Sequence, residues 1–133
     1  MTREQSSTLI LQLMNKDEIM SAITFARKHL NNARFPSDRT RKTQLWDVSG
    51  ILKDRYNQRF RFDVRPLKVQ KDGTTAKKGS TKTKADKMVV ETLSQWWIID
   101  IKELHEYIFK NKITVIHLES IAKELEWTVI LEK

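Results

Sequence analysis

Arg59, Arg61 and Arg65 recur on one parity of the segment RFRFDVRPLKV (59–69), with Phe60, Phe62 and Val64 on the other. On an extended chain that alternation sends the guanidinium groups to one side and the apolar groups to the opposite side. A planar fork of N–H donors matches phosphate oxygens, so the chemistry of the polar side is anion binding. A second short pattern, Asp100-x-Lys102 after the apolar run WWII, has the residue types with which metal-dependent nucleases hold Mg²⁺ and orient water. Its partner carboxylate on this reading is Asp63. Asp100 also has a simpler role, because Asp100 and Glu103 form a D-x-x-E arrangement that caps the start of a helix.

His29, His105 and His117 show no metal-ligand spacing, and the chain has neither a Gly-rich nucleotide fingerprint nor a nucleophile elbow. The expectation is a protein that binds without catalysing, with no cofactor and no metal. The absence of cysteine excludes thiolate zinc sites and disulfide frameworks, and it suits a reducing, cytoplasmic setting. No apolar run approaches the roughly 20 residues of a membrane helix, so no membrane partner is expected.

The distribution of charge narrows the partner. Residues 1–26 carry two basic against three acidic side chains and residues 88–133 carry five against eight, while residues 27–87 carry 18 Lys and Arg against six Asp. The overall charge of +8 is thus the sum of −1, −3 and +12, and all the excess lies in the middle. Such a block points to a polyanion, DNA or RNA, bound through backbone phosphates. The alternative from another class is a small accessory or regulatory module that sets its basic face on an acidic protein and anchors it with tryptophans.

Several elements must position these groups. TREQSSTLILQLM (2–14) reads as a first helix. Asn15 and Glu18 make a capping arrangement before the clearest amphipathic pattern in the chain, Ile19, Ala22, Ile23, Ala26 and Leu30, which predicts a helix over about 16–31. A connection follows that contains Pro36 and the cations Arg34, Arg39, Arg41 and Lys42. A third helix is expected over about 40–56 with Leu45, Val48, Ile51, Leu52 and Tyr56 inward. Trp46 falls off that stripe beside the arginines, either as a core residue or as a surface on which an unpaired base stacks.

The basic strand comes next. Pro66 cannot donate an amide to a neighbour, which suggests a sheet edge or a bulge there. Edge arginines would also discourage edge-to-edge aggregation. Residues 71–87 contain no large apolar side chain and two of the three glycines, so they are expected to form a mobile arm carrying Lys71, Lys77, Lys78, Lys82, Lys84 and Lys87, with Lys68 just before it. Beyond it, WWIID fits either a buried strand or a helix. A helix is predicted from Asp100 to about Asn111, a strand at ITVIH (113–117), a helix over Leu118 to Leu125 and a strand at WTVIL (127–131). The whole reads as one α+β domain over 1–133: an N-terminal three-helix group, a basic strand, a lysine-rich loop and a C-terminal strand-helix-strand unit on one core. The phosphate-binding set is Arg59, Arg61 and Arg65 as the fixed part, the lysine arm as the mobile part, and Arg34, Arg39, Arg41 and Lys42 as its extension.

Overall fold

The structure, a computed structural model, describes residue 16, residues 18–55, 57–67 and 80–133, and the backbone of 75–77. The architecture is α+β. Helix α1 (18–29) leads into strand β1 (Leu30–Arg34), followed by α2 (Asp38–Gln44), β2 (Val48–Leu52), β3 (Arg59–Arg65), β4 (Thr75–Lys77), β5 (Lys87–Glu91), β6 (Gln95–Asp100), α3 (Ile101–Asn111), β7 (Val115–His117), α4 (Leu118–Glu124) and β8 (Thr128–Glu132). Six strands form a mixed sheet in the order β1-β2-β3-β5-β6-β8, in which β3 and β5 are parallel and every other neighbouring pair is antiparallel. β4 and β7 make a separate antiparallel pair.

The sheet is buried on both faces. On one face Ala22, Phe25 and Ala26 of α1 pack onto Val48, Phe62, Val64, Val89, Trp96, Ile98 and Val129. The Phe25 ring lies 5.4 Å from both Phe62 and Trp96, and edge-on or tilted pairs of this kind add about 1 kcal/mol each beyond area burial. On the other face Met88, Val90 and Ile99 meet Leu104 and Ile108 of α3 and Leu118 and Ile121 of α4. Adjacent residues of β5 and β6 therefore both face apolar neighbours. A strand covered on both sides reads as a continuous apolar run, which is why the period of WWII is undecided in the sequence.

α1 forms where the amphipathic pattern predicts and buries Ala22 and Ala26, but Ile19 is exposed and Ile23 only half-buried. Its buried face is rotated toward Phe25, which lies outside the expected stripe and is fully buried, and Leu30 opens β1 rather than closing the helix. The expected first helix (2–14) and Asn15 lie outside the described residues. The three-helix group needs correction, because residues 45–55 are not helical; Tyr56, expected on the inward side of that helix, lies outside the described residues. α2 stops at Gln44, Leu45 adopts the left-handed conformation (φ 59°, ψ 45°) as its C-cap, and Val48–Leu52 pairs with both β1 and β3. Val48 and Leu52 fit a strand face as well as a helix stripe. Gly50 permits the close approach of β1, since a Cβ there would sit 3.0 Å from Leu30 Cδ1 and 3.2 Å from the Asn31 carbonyl oxygen.

β3 shows the expected alternation, with Phe60, Phe62 and Val64 buried and the residues between them half-buried. It is not an edge strand: β2 flanks it on one side and β5 on the other. Pro66 lies just past its last residue, Arg65, so the ladder asks no amide of it. In the C-terminal region the predicted strand, helix and strand all form, but β7 joins β4 while β8 joins β6.

Candidate nucleic-acid interface

Each arginine of β3 is turned to an internal partner. Arg59 donates from Nη1 to Ser49 Oγ (3.0 Å) and from Nη2 to the Asn32 carbonyl (2.6 Å), joining β3 across β2 to β1. Arg61 lies 3.5 Å from Asp86 Oδ2, and the same carboxylate oxygen accepts the Arg61 amide at 2.7 Å. Arg65 donates to Asp63 Oδ2 at 2.8 Å. These side chains share a face with Val90, the register neighbour of Arg65, and with Met88, that of Asp63, and are half-buried there.

Arg41 is likewise internal. Its Nε donates to Asp47 Oδ1 (2.8 Å) and its Nη2 to Glu18 Oε2 (2.5 Å), while the other oxygen of Asp47 accepts the Val64 amide (2.7 Å). Arg41 thereby fastens α2 to α1 and, through Asp47, to β3. Burial, with the charges of Asp47 and Glu18, raises the Asp63 carboxyl to about 6 against the pull of Arg65. Burial and Asp47 also raise Glu18, with Arg41 and Arg65 opposing. Three carboxylates face two guanidiniums here, so this part of the basic region has no surplus positive charge.

The surplus lies elsewhere. Lys84 donates its amide to the Gln44 carbonyl (2.8 Å), and Thr83 Oγ1 donates to the Leu45 carbonyl (2.9 Å). These bonds lay the 82–84 segment against the C-terminal end of α2. Arg39 and Lys42, one turn apart on α2, are exposed, as are Lys82 and Lys84. Among the described residues none of the four forms an ion pair, and Asp38 is the one carboxylate on α2. Arg34 is exposed at the end of edge strand β1. Trp46 is half-buried against the α3 side of the core, and its indole N–H donates to Gln44 Oε1 (2.8 Å). Lys68, Lys71, Lys78 and the side chain of Lys77 lie outside the described residues. Lys87, expected at the end of a mobile arm, instead opens β5 and is 6% exposed.

Lys87 belongs to a second feature, a cleft of about 750 Å³ at the end of β5 and β6, lined among others by Asp86, Asp100, Lys102, His105 and Trp127. Its ammonium donates to Asp100 Oδ1 (2.7 Å) and lies 3.7 Å from the centre of the Trp127 ring and 4.6 Å from that of Phe60. The second oxygen of Asp100 accepts the Glu103 amide (3.0 Å), the cap expected from the sequence. Glu103 does not reach back to complete the box, because its carboxylate accepts the Glu126 and Trp127 amides. Asp63 is not beside Asp100. Asp63 is in register with Met88 and through it with Ile99, whereas Asp100 is in register with Lys87, so the two carboxylates point to opposite faces of the sheet. Burial holds His105 below the usual imidazole range. Among the described residues no group of three or more His, Asp or Glu side chains is placed to hold a metal ion, and no helix is long and apolar enough to cross a membrane.

Sequence reasoning missed two participants. Asp86 precedes a strand whose start was hidden in the lysine-rich stretch, and Phe35 stands exposed between Arg34 and Pro36. A large aromatic next to a proline in a basic connection was the available signal for Phe35. Comparison with protein-family models, curated proteins and solved structures finds no match for this chain.

Proposed function

We propose that this protein binds nucleic acid through backbone phosphates, without cleaving it, on the surface built by α2 and the 82–84 segment. The observation that carries the reading is the pair of hydrogen bonds from Lys84 and Thr83 to the end of α2. They set Lys82 and Lys84 against the end of the helix that carries Arg39 and Lys42, two groups of cations about 40 positions apart in sequence. Exposed cations without internal counter-ions are the ones that can displace counterions from a phosphate backbone. The strand arginines serve the fold. The test is fluorescence anisotropy with a labelled 20-mer at low salt, comparing the wild type with Arg39→Gln/Lys42→Gln/Lys82→Gln/Lys84→Gln. The quadruple variant loses most of its affinity while the fold, followed by circular dichroism, is kept. Undiminished binding by that variant overturns the proposal.

A second reading, phosphodiester cleavage with Mg²⁺, is favoured by one observation: Asp86 and Asp100, at the starts and ends of paired strands, line the same cleft as Lys102. Mg²⁺ is commonly held by one or two carboxylates with water and substrate phosphate. Against it, both oxygens of Asp100 already accept hydrogen bonds. Magnesium-dependent cleavage by the pure protein, lost in Lys102→Met, would put this reading first.

A further inference from the structure

Phe35 is 51% exposed, and among the described residues its ring makes no aromatic or cation–π contact. It sits between Arg34, the last residue of edge strand β1, and Ser37, whose hydroxyl caps α2 by accepting the Thr40 amide. The backbone on both sides is therefore fixed, and the ring is held at the N-terminal end of α2, next to exposed Arg34 and four residues before exposed Arg39, on the helix whose other end carries the 82–84 segment. Trp46, the other aromatic of this region, is committed to the core and to Gln44. Phe109, more exposed still, lies on α3, outside the basic part of the chain.

We infer that the ligand of this surface is a single-stranded nucleic acid, one of whose unpaired bases stacks on Phe35 while its phosphates lie on the neighbouring cations. This rests on the proposed polyanion binding and adds to it the kind of strand. A duplex keeps its base faces stacked against one another and has no use for an exposed ring, whereas an unpaired base gains by covering one. Phosphates beside a stacking ring are the combination that single-strand surfaces use, and the stacking is tolerant of sequence because every base has a π-face.

The experiment compares a fluorescein-labelled 20-mer of deoxythymidine, the corresponding uridine RNA and a mixed-sequence 20-base-pair duplex, each titrated with the wild type, Phe35→Ala and Phe35→Trp. Expected are tighter binding of the single strands than of the duplex, a loss of roughly 10- to 100-fold for single strands in Phe35→Ala with duplex affinity unchanged, and recovery in Phe35→Trp. The two single-strand arms show whether deoxyribose or ribose is preferred. Equal or tighter binding of the duplex by the wild type, or single-strand affinity unaltered in Phe35→Ala, overturns the inference and leaves polyanion binding standing. Failure of the wild type to bind any of the three overturns both.

Discussion

The Lys87 ammonium lies 2.7 Å from Asp100 Oδ1 with the Trp127 ring 3.7 Å away, so a charge that is nearly removed from water is balanced by one carboxylate and one aromatic face. Were Asp100 a cap alone, Asp100→Asn should cost about 1 kcal/mol or less, because Asn caps nearly as well. The ion pair changes that expectation. Asn leaves Lys87 buried without its counter-ion, and we predict a loss of about 2–3 kcal/mol in urea unfolding. Lys87→Met, which keeps the apolar stem, costs less than Asp100→Asn; the reverse order would show that the pair matters less than the packing.

Asp63 makes the fold sensitive to pH in a definite direction. Its folded value of about 6 lies above the ordinary 3.8, with burial as the main cause, so the folded state holds this proton more firmly than the unfolded chain. The associated stabilisation is complete below about pH 4 and is lost as pH rises through 6. Asp63→Asn removes that dependence. Between pH 4.5 and 7 the variant gains about 2 kcal/mol relative to the wild type, measured by urea unfolding at both values.

Glu91 acts in the opposite sense. Burial pushes its carboxyl up, but hydrogen bonds from Lys133, the Leu67 amide and Ser21 together outweigh that and lower it. Its contribution is present above the unfolded value of 4.5 and is lost as pH falls through the folded one. Glu91→Gln should cost about 1–3 kcal/mol at pH 7 and markedly less at pH 3.5.

Gly50→Ala should destabilise by about 1–3 kcal/mol, the usual cost of an extra methyl in a filled core. The new Cβ would meet Leu30 Cβ at 3.1 Å and the Asn31 carbonyl at 3.2 Å, and neither can withdraw without moving β1. Loss of amide protection along β1 and β2 in hydrogen exchange locates the damage, and a stability equal to the wild type would mean that β1 moves freely.

Much of this was legible in the sequence, and the misses have physical causes. The alternation of Phe60, Phe62 and Val64 and the Asp100 cap are local patterns that tertiary packing did not override, whereas in α1 the helix formed but packing turned its buried face toward Phe25 and left Ile19 exposed. β2 was hidden because Val48 and Leu52 fit a helix stripe and a strand face alike, and what separates the two, the pairing with β1 and β3 and the approach of Leu30 to Gly50, is contact with distant parts of the chain. The start of β5 was hidden because Lys87 is buried by an ion pair and two rings contributed from elsewhere in the chain. Arginine at alternate positions looked like a free cationic face. Asp63, Asp86, Ser49 and the Asn32 carbonyl, which occupy that face, come from other places in the sequence or from the strand itself.

Salt dependence of binding separates the cations that meet phosphate from those that hold the fold. With a single-stranded 20-mer, the slope of log affinity against log salt should become shallower by up to about 2.8 in Arg39→Gln/Lys42→Gln/Lys82→Gln/Lys84→Gln, about 0.7 for each phosphate that is no longer neutralised. Arg59→Gln/Arg61→Gln/Arg65→Gln should keep the wild-type slope and lose stability instead, by about 2–4 kcal/mol. An unchanged slope in the quadruple variant, with a shallower one in the strand triple, would contradict the assignment of phosphate binding to the surface of α2 and the 82–84 segment.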